Sequence, residues 1–269
     1  MTIRAATAGS SGSEVVEVTN PEGAGAFLIV CEHASKRIPA SFAGLGLDAA
    51  ALASHIAWDP GALAVAEEMS ARLGATLVAQ RFSRLLYDCN RPPESPAAVP
   101  AVSEVYEIPG NAGLSAADRQ ARVDRFYTPF RDTLAACIEG RITKRRPPVL
   151  VTVHSFTPVF MGVEREVELG ILHDADARLA DALIETAEAG TTLKIRRNEP
   201  YGPADGVTHT LIEHGISRGL LNVMLEIRND LVADRASQTK MADWLSLCLT
   251  EALAALGVGT GGERNCLRQ

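Results

Sequence analysis

VLVTVHS at residues 149–155 sets a run of apolar and β-branched residues directly against His154 and Ser155. A continuous run of this length, bounded by turn residues, reads as a strand buried on both faces. The layout recurs: LIVCEH at 28–33 ends on His33, and LLNVMLEIRND at 220–230 carries Glu226 where its apolar run stops. Around these runs the spacing predicts helices over 48–73 (interrupted at Asp59-Pro60-Gly61), from Ser115 towards Gly140, and over 176–189, 209–218 and 235–256, the last stopped by Gly257. Proline suits the first turn of a helix, so Asp59 is expected as an N-cap. Further strands are read at 76–79, 85–87, 167–172 and 193–195, with a long proline-rich loop from Pro92 to Gly113. Strands alternating with helices give an α/β fold, a mostly parallel mixed sheet flanked by helices on both faces. In such sheets ligands bind beyond the carboxyl ends of the strands, where His33, His154 and Glu226 all fall.

The chain has 269 residues, 46% of them hydrophobic and 22% charged, which suits one globular domain with a large core. The domain is expected over 25–257, with flexible tails over 1–24 and 258–269, where Gly and Ser replace periodic apolar positions. A net charge of -7 leaves no basic excess for phosphates, so nucleic acid is a poor partner. The one basic run, Lys144-Arg145-Arg146, reads as a solvated loop. No stretch is long and apolar enough to span a membrane, and the N-terminal residues lack the apolar run of a secretory signal. Five scattered cysteines without a CxxC pair fit a reducing, cytoplasmic setting.

Two histidines and a carboxylate at strand ends whose side chains could converge match a recurrent recipe for catalytic zinc, with one position left open for water and a further carboxylate as base. Taken singly, each also has a plain structural reading: His33 and His154 as hydrogen-bonded strand-end histidines, Glu226 as an ion-pair partner of Arg228. A carboxylate closing so apolar a strand is nevertheless costly unless paired or ligated.

Seven stretches in fixed order, CEHASKRIP (31–39), HIAWDPGA (55–62), SRLLYDCNRP (83–92), IPGN (108–111), TVHSFTP (152–158), NEPYGPADGVTHTL (198–211) and LEIRND (225–230), resemble the N-formylglutamate amidohydrolases. That family is similar in fold to the zinc carboxypeptidases and aspartoacylases. The resemblance implies a zinc-dependent hydrolase of a linear amide in an N-acyl amino acid, N-formyl-L-glutamate being the expected substrate. It implies His154 as a zinc ligand, Glu226 as general base, and Asn90-Arg91 as a clamp on a substrate carboxylate, a task suited to the planar guanidinium.

One departure is plain. Carboxypeptidases supply two ligands as H-x-x-E, whereas His33 is followed three residues on by Lys36, a poor ligand. Asp59 is the expected replacement beside His33 and His154, and Glu32, which would point to the opposite face of its strand, is the alternative. Ser83, Arg84, Asn198, Tyr201 and His209 belong to the shared stretches and are expected at the substrate pocket, and Arg228 is expected either to contact substrate or to steady Glu226. His55 and His173 read as structural or surface histidines. Other readings are a serine or cysteine hydrolase, for which a G-x-S-x-G elbow is lacking, a related N-acyl amino acid deacylase, and a non-catalytic carboxylate-binding protein on the same fold.

Overall fold

In the computed structural model, which describes residues 10–12 and 14–259, the chain runs β1 (Ser10–Gly12), β2 (Val16–Thr19), β3 (Phe27–Cys31), α1 (Ala49–Ala53), α2 (Ala62–Leu73) and β4 (Thr76–Gln80). A hairpin of β5 (Val102–Ser103) and β6 (Tyr106–Glu107) precedes α3 (Ala116–Arg122) and α4 (Thr128–Thr143), which a π-helical turn at Val123–Tyr127 joins. Then follow β7 (Val149–Phe156), a second hairpin of β8 (Val159–Phe160) and β9 (Val163–Glu164), β10 (Leu169–Leu172), α5 (Arg178–Glu188), β11 (Ile195–Arg197), β12 (Asn222–Arg228) and α6 (Arg235–Ala255).

Eight strands form one mixed sheet in the order β1-β2-β4-β3-β7-β12-β10-β11. Its centre, β4-β3-β7-β12, is parallel, while β2 and β10 run antiparallel to β4 and β12. All residues of β3 and β7 are buried, as continuous apolar runs require when helices cover both faces. Ile29, Val151, Val153 and Leu225 pack against α2, α5 and α6, while Leu28, Val30, Leu150 and Met224 pack beneath Phe126, Phe130 and Leu134. This is the α/β architecture expected, with the strand-end residues brought to one edge.

Several boundaries differ from expectation. The N-terminal tail is shorter than read, because β2 pairs with β4 and β1 with β2. Val16 and Val18 alternate with exposed or half-buried neighbours, a period-2 signal that surrounding Gly and Ser hid. At the other end Val258 still donates its backbone N–H to Leu253, and the rest of both expected tails lies outside the described residues. Leu85–Tyr87 is a turn, not a strand; its apolar side chains are buried by packing, and the Asn111 amide donates to the Leu85 carbonyl. The helix expected over 209–218 is present but irregular: after His209 and Thr210 it passes into a π-helical turn at Leu211–Gly215 and a 3-10 turn at Ile216–Arg218. Among the described residues no helix is long and apolar enough to cross a membrane.

Two details of register and turn place the functional groups. Glu226 on β12 lies directly opposite His154 on β7, so both side chains emerge on one face. On its other side Glu226 faces Gly170 of β10, where a Cβ would fall 2.0 Å from the Glu199 carbonyl. At the start of α2, Asp59 is not the N-cap; Gly61 is, at φ 82° in the left-handed region, where an added Cβ would fall 2.6 Å from the Val232 carbonyl. The Asp59 carboxylate is thereby released from capping and turns towards the sheet.

Candidate metal centre

His33, two residues beyond β3, His154 near the end of β7 and Asp59 before α2 converge beneath a cavity. His33 Nδ1 lies 3.1 Å from His154 Nδ1, and Asp59 Oδ2 lies 3.2 and 2.9 Å from these two nitrogens. Three potential ligand atoms this close to one another could hold a metal ion. A tetrahedral zinc with bonds of 2.0–2.1 Å sets its ligand atoms about 3.3 Å apart, close to the separations seen. Ser155 N–H steadies the carboxylate at 3.3 Å, and Ser155 Oγ donates to the Pro60 carbonyl at 2.7 Å, tying β7 to the Asp59 turn.

The far side of each imidazole is backed by a buried carboxylate. His33 Nε2 lies 2.7 Å from Asp88 Oδ1, and His154 Nε2 lies 3.2 Å from Glu32 Oε2. A carboxylate only accepts, so His33 Nε2 donates to Asp88 and His33 Nδ1 turns a lone pair inward, while the charge of Glu32 favours the same arrangement at His154. Glu32 is wholly buried and neither oxygen has an aligned hydrogen bond, so its contact with His154 is one of charge. It stands behind His154, outside the three-residue cluster, and of the two alternatives it is Asp59 that lies with the histidines. Lys36 is exposed, its ammonium 5.3 Å from the centroid of the Trp58 ring.

The charges follow from this crowding. Burial opposes ionisation at Asp59, but His33 and His154 outweigh it and hold the carboxyl well below the usual range. At Asp88 burial is likewise outweighed, by Arg84 first and then His33. Burial would lower His154, yet the Glu32 and Asp59 carboxylates hold it well above its ordinary value. Acid is in surplus here, which favours a bound cation. Glu226 shifts the other way: burial, with the Asp59 charge adding, pushes it up to about 7.

The cavity, of about 420 Å³, is lined by Glu226, Arg84, Asn90, Arg91 and Tyr201 as well as by His33, Asp59 and His154. Arg84 is held by two carboxylates, Asp88 Oδ2 at 2.6 Å and Asp59 Oδ1 at 3.4 Å. Arg91 donates to the Asn90 carbonyl at 3.0 Å and makes no ion pair among the described residues. The Asn90 amide is engaged at both ends, donating to Val207 O and accepting from Thr210 N–H, so it fastens the 207–210 segment instead of reaching for a ligand.

Other expected pocket residues lie elsewhere. Ser83 is buried, donating to Ala57 O at 2.7 Å; Asn198 accepts from His173 N–H; His209 meets the Tyr127 hydroxyl at 2.7 Å, and none of the three lines the cavity. Arg228 is turned away from Glu226 and pairs with Glu168 and Asp230. Each is polar because it joins segments of backbone or pairs on the surface. Conversely, His55, read as a structural or surface histidine, lines the cavity 2.9 Å from Glu104. Asp88 was missed outright, although a carboxylate between Tyr87 and Cys89 carries the same desolvation cost that marked Glu226.

The sequence profile of the N-formylglutamate amidohydrolase family matches residues 25–233. The chain belongs to this family. A crystal structure of a gene product from Agrobacterium tumefaciens is similar at 55% identity and TM-score 0.89, over 91% of this chain and 97% of that one. An N-formylglutamate amidohydrolase from Ralstonia eutropha JMP134 shares the fold at 20% identity and TM-score 0.60, over 91% of this chain and 99% of that one. A metallo-carboxypeptidase from Burkholderia cenocepacia aligns more remotely, at 12% identity and TM-score 0.36, over 90% of this chain and 61% of that one. A search of curated proteins found no match. As a member of the amidohydrolase family the chain is a hydrolase acting on an amide.

Proposed function

We propose that the protein is a zinc-dependent amidohydrolase that cleaves the amide of an N-acyl amino acid, with N-formyl-L-glutamate, the substrate of the family's name, as the first to test. The observation that carries this reading is the triangle of His33 Nδ1, His154 Nδ1 and Asp59 Oδ2, open to a cavity that holds Glu226 and the unpaired guanidinium of Arg91. When bound by these three residues, zinc supplies Lewis-acid polarisation of the scissile carbonyl and a water acidified towards neutrality. Glu226 accepts the proton of the attacking water and returns it to the departing nitrogen. Arg91 holds the substrate carboxylate through two parallel hydrogen bonds. Asp88 keeps the Nε2 proton of His33 in place, and the negative charge of Glu32 behind His154 Nε2 favours the same tautomer there, so that both Nδ1 lone pairs face inward. Arg84, fixed by Asp59 and Asp88, sets a positive charge beside the reacting carbonyl, where negative charge develops.

A cysteine nucleophile is disfavoured, because burial pushes the Cys31 and Cys89 thiols up. The enzyme reading is tested by release of free amino acid from N-formyl-L-glutamate with protein as purified, after chelation, and after zinc is restored. Loss and zinc-dependent recovery of turnover are expected. Turnover that survives complete chelation would overturn the metal role, and carboxylate binding without hydrolysis across N-acyl amino acids would favour a binding protein. The reaction and the charge of the surface fit a small-molecule partner in the cytoplasm.

A further inference from the structure

The lining of the cavity bears on which amino acid is released. Five carboxylates face it, from Asp59, Asp88, Glu104, Asp205 and Glu226, against the two guanidiniums of Arg84 and Arg91. Arg84 is taken by Asp59 and Asp88, and His55 by Glu104, leaving Arg91 alone among the lining cations of the described residues without a carboxylate partner. The nearby Arg165 does not line the cavity; its guanidinium lies 5.5, 4.5 and 4.8 Å from the ring centroids of Phe156, Phe160 and Tyr201. One free guanidinium suits one carboxylate. A second carboxylate, such as glutamate's side chain, would be desolvated among acids without a counter-ion.

Part of the remaining wall, which also carries Ser103, Ser155, Thr157 and Tyr201, is apolar. The two hairpins bring Val102 and Phe160 to the mouth, 59% and 37% exposed, and the Met161 N–H donates to Glu104 at 3.2 Å, fastening one hairpin to the other. Ile56, Pro100, Phe156 and Val207 continue this surface inward. Exposed apolar groups gathered at a cavity rim mark a ligand contact. A volume of about 420 Å³ also exceeds what a formyl group and a glutamate side chain fill, and falls where pockets hold larger ligands, roughly 300–1,000 Å³.

We propose that the substrate of this site carries one carboxylate and an apolar side chain: an N-acylated neutral amino acid, in preference to the dianionic N-formyl-L-glutamate. The proposal rests on the amide-cleaving reading above and refines its substrate. The test is kcat/KM of the zinc-loaded enzyme for N-formyl-L-glutamate, N-formyl-L-glutamine, N-formyl-L-leucine and N-formyl-L-phenylalanine. Glutamine, of glutamate's shape but without its charge, should exceed glutamate, and leucine and phenylalanine should exceed it by about tenfold or more. Phe160→Ser, at unchanged zinc content, should shrink the phenylalanine-to-glutamate ratio several-fold. A fastest reaction with glutamate, or a glutamine derivative slower than glutamate's, overturns the proposal while leaving amide hydrolysis intact. Turnover of none of the four with zinc bound overturns both.

Discussion

Glu226 and Asp88 are both buried carboxylates lining the same cavity, yet their surroundings suit them to opposite tasks. Neither Glu226 oxygen is held by a hydrogen bond among the described residues, and burial raises its proton affinity, as suits a proton carrier. Glu226→Gln keeps the shape and removes the acceptor, so kcat should fall by roughly 10²–10⁴ while zinc stoichiometry stays at the wild-type value. Full turnover in that variant would reassign the base. Asp88 is clamped by Arg84 and faces His33 Nε2, as suits a group that orients a ligand. Asp88→Asn should weaken zinc binding by about 10–100-fold in competition with a chromogenic chelator, and unchanged affinity would show that His33 needs no such partner. Sequence patterning exposed Glu226 because it closes a long apolar run. It hid Asp88, which follows a turn whose burial comes from distant packing.

β10 and the turn before α2 are elements whose form is dictated by what passes next to them. Gly170 leaves room for the Glu199 carbonyl, and a Cβ at that position would also crowd the Glu226 Cβ at 3.1 Å. Gly170→Ala should therefore destabilise the fold by about 1–3 kcal/mol in urea unfolding and lower turnover as well, whereas wild-type stability would mean that the Glu199 backbone yields freely. The π-helical turn at Leu211–Gly215 buries His214, and burial, with Arg218 adding, pulls this imidazole down to about 4. The unfolded chain binds that proton near pH 6.5, so between pH 6.5 and 4 it holds more protons than the folded chain. The contribution is complete above about pH 6.5, declines towards pH 4 and is constant below. His214→Leu should reduce the loss of stability between pH 7 and 5 by roughly 2 kcal/mol, and an unaltered pH profile would place the titration elsewhere. Strands β3, β7 and β12 were legible because each is a near-continuous apolar run. The N-terminal strands and the π turns were not, because short edge strands and irregular helices are set by pairing and packing that leave little periodic trace.

Across the whole molecule, the proposed metal ligands come from three places far apart in the chain and can meet only when the sheet has formed. Zinc should bind the native state in preference to the unfolded one. At a free concentration of a hundred times its Kd it adds about 2.7 kcal/mol, which for a chain of this size raises Tm by roughly 5–10 °C. Scanning calorimetry with zinc and with chelator checks this, and Asp59→Ala should abolish the shift; an equal shift in that variant would place the ion elsewhere. The α/β architecture, the strand-end histidines and Asp59 were legible in the sequence, for they follow from hydrophobic runs and from the chemistry of ligands. The mouth of the cavity was not, since Phe160, Val102 and Glu104 sit on short hairpins with no periodicity of their own.

The pairing of Glu226 with His154 across β12 and β7 means that the proposed base and the proposed ligand are spaced by backbone hydrogen bonds, not by any loop. A slip of one residue between these strands would bury the base on the wrong face, so mutation has no gradual route to a new spacing. The hairpins at the mouth carry no such constraint. Chemistry and selectivity are thus separable: the rim can change residue by residue without disturbing the register that sets Glu226 against His154.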